Sequence, residues 1–175
     1  MKRSKQIALC GVLSSLAVVI MLLAYFPYMT FALPAVAGIL LCIVFLELNY
    51  KWAVGAYVCA AIITLLLCEK EAAVLFVGVF GYYPIVKIFL EKIPVRPLVY
   101  FLKFLLFNVA IVVAYLVIIF VFHIPIEDMG AFGKYTLFIL LGLGNVMFFV
   151  YDLALSRVIA MYLKLLHPRV RHILR

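Results

Sequence analysis

Leu98–Phe122 reads LVYFLKFLLFNVAIVVAYLVIIFVF, 25 residues in which Lys103 and Asn108 alone fall outside the apolar and aromatic set. At 1.5 Å per residue such a helix is about 37 Å long, enough to cross the roughly 30 Å hydrocarbon layer of a bilayer. A strand of a membrane barrel would alternate polar and apolar residues, and this stretch does not. The rest of the chain agrees with it. Over 175 residues, 70% are apolar, 13% are charged, and the mean hydropathy is +1.32. Soluble domains hold about 45–50% apolar and about 25% charged residues, so lipid is the solvent here. The same numbers exclude a disordered chain, a collagen-like fibre and a disulfide-stapled secreted domain.

Working outward from that segment, six apolar runs emerge: Gln6–Ala24, Thr30–Leu46, Trp52–Cys68, Ala72–Leu90, Leu98–Phe122 and Tyr135–Leu155. The expected architecture is an all-α, six-span membrane bundle forming one domain. The second and third runs are short and carry Pro34 and Gly55, so a broken or re-entrant region is the alternative there. The first run follows Lys2, Arg3 and Lys5 and is longer than the 7–15 apolar residues of a signal peptide, so it is read as retained.

The formal charge of +8 would suggest nucleic acid in a soluble protein. With six spans and a cytoplasmic N-terminus it sorts instead by side. Of the 15 Lys and Arg, only Lys70 and Lys134 fall outside, whereas Glu69, Glu71, Glu127 and Asp128 make the outer face acidic. That bias places both termini in the cytoplasm of a cell membrane. The basic tail, with Lys164, Arg169, Arg171 and Arg175, is an orientation signal first and a contact for anionic lipid or an acidic partner second.

No phosphate loop of the GxxxxGK[ST] type, no HExxH, no CxxC and no GxSxG occurs. Cys10, Cys42, Cys59 and Cys68 lie at irregular spacing inside apolar runs, and His123, His167 and His172 lack metal partners at helical spacing. Neither an enzyme nor a metal or cofactor site is expected, and no filter sequence suggests a channel. The two halves share no internal repeat.

The polar residues within the runs carry the remaining information. Ala8, Gly11 and Ser15 form a small-residue stripe with Ser14 and Ala17 beside it, suited either to a neighbouring span or to a separate membrane subunit. Gly78-Val79-Phe80-Gly81-Tyr82-Tyr83-Pro84 predicts a kink, because Pro84 cannot donate its backbone hydrogen bond. Lys87, Lys103 and Asp152 share one depth, where pairing of Asp152 with Lys87, Lys103 or Arg157 would offset an insertion cost of about 2.5–3.5 kcal/mol per charge. Asn108 and Asn145 lie nearer mid-depth and either bridge helices or face a polar cavity. The outer loops add Tyr25, Phe26, Tyr28, Glu69, Lys70, Glu71, His123, Glu127 and Asp128.

Six spans with both ends inside, the run Ile7-Ala8-Leu9-Cys10-Gly11-Val12-Leu13-Ser14-Ser15-Leu16-Ala17 after a basic start, and Leu33-Pro34-Ala35-Val36-Ala37-Gly38-Ile39-Leu40 after an aromatic loop together carry a likeness. The chain resembles the substrate-binding S component of energy-coupling-factor (ECF) vitamin transporters. The resemblance implies an outward pocket for a vitamin-like solute, such as a flat-ringed one that suits the aromatic outer loops, with Tyr28, Glu69, Lys70, Tyr82, Asn108 and Asn145 as candidate contacts. It also implies docking of the first span, through Ala8, Gly11 and Ser15, on a transmembrane T component coupled to two cytosolic ATPases. That family face usually carries alanines four apart, and here Gly11 and Ser15 stand nearest to that pattern. The competing class is a non-transport membrane scaffold or cell-envelope assembly protein.

Overall fold

The structure is a computed structural model that describes residues 3–26, 29–121 and 136–168. Among these residues it is all helical. The elements are α1 (Arg3–Leu22, with a 3-10 turn Leu23–Tyr25), α2 (Ala32–Glu47), α3 (Tyr50–Leu67), α4 (Lys70–Leu75), a π turn (Phe76–Phe80), α5 (Tyr83–Leu90), α6 (Arg96–Phe120) and α7 (Thr136–Leu165). Among the described residues, five helical stretches are long and apolar enough to cross a membrane: Arg3–Tyr25, Tyr50–Leu67, Lys70–Leu90, Arg96–Val117 and Leu141–Leu165. The sixth apolar run is the 16-residue helix α2, about 24 Å long and shorter than the hydrocarbon layer.

α2 and α3 are two continuous helices joined by the short turn at Leu48 and Asn49. Asn49 caps α3 by accepting the Tyr50 backbone N–H at 3.0 Å. α1 and α3 run parallel, because Cys10 Sγ faces the Trp52 carbonyl at one end and Tyr25 donates its hydroxyl to the Leu67 carbonyl at the other. Ala53, Ala56 and Ala60 line the buried side of α3, and their small side chains let α1 and α2 approach. A second cluster gathers around Phe148 of α7, which stacks on Phe107 of α6 at 4.3 Å and meets Tyr83 of α5 edge-on at 4.9 Å. The Lys70–Leu90 stretch is the most buried of the five and contributes to both clusters.

The Gly78–Pro84 segment is where that buried stretch departs from an α-helix. Gly81 N–H reaches back five residues to the Phe76 carbonyl at 2.7 Å, which leaves the Val77 carbonyl without its ordinary donor. Tyr57 of α3 supplies one, donating its hydroxyl to Val77 O at 2.7 Å. Pro84 removes the donor that an α-helix would give the Phe80 carbonyl. That oxygen packs instead against the bare Cα of Gly38 in α2, where any Cβ would collide with it. The kink expected from the sequence thus has two parts, a π turn and a proline, and each is closed by a residue from a neighbouring helix.

Candidate functional site

Tyr83, Lys87 and Glu91 follow one another at four-residue spacing along α5 and its end, and therefore share one face. Asp152 and Ser156 have the same spacing on α7. Packing brings these faces together with Lys103 of α6. The Asp152 carboxylate accepts hydrogen bonds from Lys87 and Tyr83 on Oδ1, and from Lys103 at 3.2 Å on Oδ1 and 3.1 Å on Oδ2. Lys87 also donates to the Asp152 main-chain carbonyl at 2.8 Å and to Ser156 Oγ at 2.7 Å. Lys103 donates to Glu91 Oε1 at 2.8 Å. The cluster is two cations against two anions. Lys87 is fully buried, whereas the Glu91 side chain is 44% exposed and marks the side from which the cluster meets its surroundings. Of the three partners the sequence offered Asp152, the structure brings Lys87 and Lys103. Tyr83, Ser156 and Glu91 were missed, although their four-residue spacing from Lys87 and Asp152 was a readable signal.

Asn108 and Asn145 meet each other. Each Nδ2 donates to the other's Oδ1 at 2.9 Å, and each uses its second N–H on the carbonyl one turn back, Phe104 O at 2.7 Å and Leu141 O at 2.6 Å. Neither amide has an N–H left for a solute, so the pair ties α6 to α7.

The other solute candidates are spread out. Glu69 and Lys70 lie at the far end of the bundle, where a cavity of about 460 Å³ is lined by Tyr25, Leu65, Leu66, Cys68, Glu69, Lys70 and Glu71. Thr30 donates to Glu69 Oε2 at 3.3 Å. Tyr82 sits halfway down the Lys70–Leu90 stretch with its ring centroid 6.4 Å from that of Tyr57. Tyr28, His123, Glu127 and Asp128 lie outside the described residues. Among the described residues no group of three His, Cys, Asp or Glu could hold a metal ion, and all four cysteines are free thiols.

Sequence reading also missed a second polar knot. Glu47 ends α2 with its side chain only 2% exposed. It accepts the Tyr162 hydroxyl at 2.7 Å, and His167 Nδ1 lies 2.8 Å from the same oxygen. The contact joins positions 115 and 120 residues apart in the chain, so no local spacing announces it. It fastens the end of α7 to α2.

The small stripe of α1 faces outward. Ala8, Gly11 and Ser15 are exposed, while Ala17 is buried in the core. A Cβ added to Gly11 would meet nothing within 4 Å. Between α1 and α3 runs an open groove of about 630 Å³, walled by Gly11, Ser14, Ser15, Gly55, Ala56, Cys59 and Ala60, with Lys51 and Trp52 at one end.

No protein-family model matches the chain, and neither a curated protein nor a solved structure matches it. Its own geometry therefore defines the class: the described residues are all helical, with five stretches long and apolar enough to span a membrane, a four-charge cluster that is buried except at Glu91, and an outward face of small side chains.

Proposed function

We propose that this protein is the solute-capture subunit of an uptake transporter of the energy-coupling-factor type, crossing the cell membrane six times with both termini in the cytoplasm. One observation carries the reading. The face of α1 formed by Ala8, Gly11 and Ser15 is not used for packing within the chain, so its small side chains are available to a second membrane subunit. Energy then comes from partners, a T component and two cytosolic ATPases, in keeping with a sequence that has no phosphate loop. The cavity beside Tyr25, Glu69, Lys70 and Glu71 is the candidate entry for a vitamin-like organic solute. Its carboxylates and ammonium suit a solute with polar or charged groups. Tyr28 stays a candidate from the sequence alone.

A specific observation favours a second reading. Asn108, Asn145 and the Lys87–Asp152–Lys103 cluster spend their donors on one another, as expected of a membrane scaffold held rigid by internal polar contacts.

Partner recovery separates the two. The tagged chain, purified from its own cells in mild detergent, is expected to bring down two ATPase subunits and another polytopic protein. Gly11→Leu projects into open space, so it is expected to keep the melting temperature of the chain and to reduce that recovery at least about tenfold, a loss of about 1.4 kcal/mol of docking energy. Recovery of the chain without ATPases would favour the scaffold.

A further inference from the structure

We infer that the groove between α1 and α3 holds one acyl chain of an anionic phospholipid, with the lipid phosphate at Lys51. This inference does not rest on the transporter reading: it concerns the free chain, and a subunit docked over Gly11 and Ser15 would displace the acyl chain. The groove is concave, open along its side and about 630 Å³ in volume, and two of its polar side chains, Cys10 and Ser14, are already turned to main-chain carbonyls. Ser14 donates its hydroxyl to the Cys10 carbonyl at 2.7 Å, and Cys10 Sγ faces the Trp52 carbonyl. Apart from the Ser15 hydroxyl and the Cys59 thiol, the wall left for an occupant is mainly Gly, Ala, Val and Ile, which suits a flexible alkyl chain better than a polar solute.

Its length points the same way. From Lys51 to Ile63 along α3 the groove covers about 18 Å at 1.5 Å per residue. One leaflet contributes about 15 Å of hydrocarbon, half of the roughly 30 Å layer. The concavity thus has the reach of a single acyl chain entering from the Lys51 end.

Charge fixes the headgroup. Lys51 is exposed at the mouth of the groove, and no carboxylate among the described residues pairs with it. Trp52 stands beside it, a residue type that favours the headgroup boundary. An ammonium at the end of an alkyl-sized groove is complementary to a phosphate esterified to an acylated glycerol, and a net negative headgroup gains more from it than a zwitterionic one.

The test is native mass spectrometry of the full chain, purified in detergent and titrated separately with dioleoyl phosphatidylglycerol and dioleoyl phosphatidylcholine. The expected result is about fivefold tighter binding of phosphatidylglycerol, the effect of one basic residue at a lipid surface. Lys51→Gln is expected to erase that preference. Gly55→Leu, whose side chain would enter open space in the groove, is expected to weaken both lipids severalfold. Cys59→Trp fills the groove one turn further along and decides the matter if the Gly55 variant does not fold. Equal binding of the two lipids by the native chain, or unchanged lipid binding in a folded groove-filling variant, would overturn the inference.

Discussion

Asp152→Asn is expected to lower the stability of the protein by about 3–5 kcal/mol, seen as a fall in melting temperature on the order of 10 °C in detergent. The reason is what the substitution leaves behind. Asp152 is the carboxylate that both buried lysines share, and it also accepts the Tyr83 hydroxyl. An amide at that position turns two ion pairs into ion–dipole contacts and leaves Lys87 with the half-exposed Glu91, 3.3 Å away, as its remaining counter-charge among the described residues. A lone buried ammonium costs far more than a satisfied pair returns, which is why breaking such pairs is so much worse than removing both partners. The double variant Lys87→Met, Asp152→Leu removes a cation and an anion together. Lys103 keeps Glu91 at 2.8 Å. The double variant is therefore expected to recover most of the lost stability, and a coupling near zero between the two positions would show that the cluster does not act as a unit.

The second large effect is steric. Gly38→Ala is expected to destabilise the chain by about 1–3 kcal/mol, the cost of overpacking a core, and Gly38→Leu by more. A Cβ at Gly38 would collide with the Phe80 carbonyl oxygen and lie 3.1 Å from its carbon and 3.5 Å from the Tyr151 hydroxyl. The obstacle is main chain and cannot rotate away. Gly55→Ala is the matched control: it lies in the next helix and meets nothing within 4 Å, so its melting temperature is expected to stay within error of the native value or rise. Equal tolerance at the two positions would mean that α2 does not pack against the π turn as described.

Both effects arise where helices meet, and there the sequence was only partly legible. The apolar runs located the helices well because lipid demands continuous hydrophobicity, and that signal does not depend on partners. Their ends were harder. α7 continues to Leu165 although Tyr135–Leu155 was the expected span, since a helix can run on past the hydrocarbon with Arg157 and Lys164 along it. The Gly78–Pro84 irregularity was visible from composition, yet the π turn was not, because a five-residue hydrogen bond depends on Tyr57 being in reach of Val77. Asp152, Lys87 and Lys103 stood out through the cost of burying charge. For Tyr83 the four-residue spacing from Lys87 was the one signal that tied it to the cluster. Asn108 and Asn145 admitted two readings from sequence, and only packing brings them face to face. The Glu47–Tyr162–His167 contact was out of reach, because it depends on how α7 folds back along α2.

These contacts give a division of labour along the bundle. One end is held by the charge cluster and the Glu47 knot, and the other carries the cavity beside Glu69. The α1 face of Ala8, Gly11 and Ser15 is exposed. In a capture subunit the rigid end would keep the helices in register while solute enters at the opposite end.

The most direct test of that account is the small-molecule content of the protein itself. The chain is purified from cells in mild detergent without added solute, denatured, and its extract compared by mass spectrometry with that of a control membrane protein prepared in parallel. The account predicts one organic solute at close to one per chain, depleted when Glu69→Gln and Glu71→Gln are introduced together. Folded, monodisperse protein free of any enriched solute, in the native chain as in the variant, would contradict it.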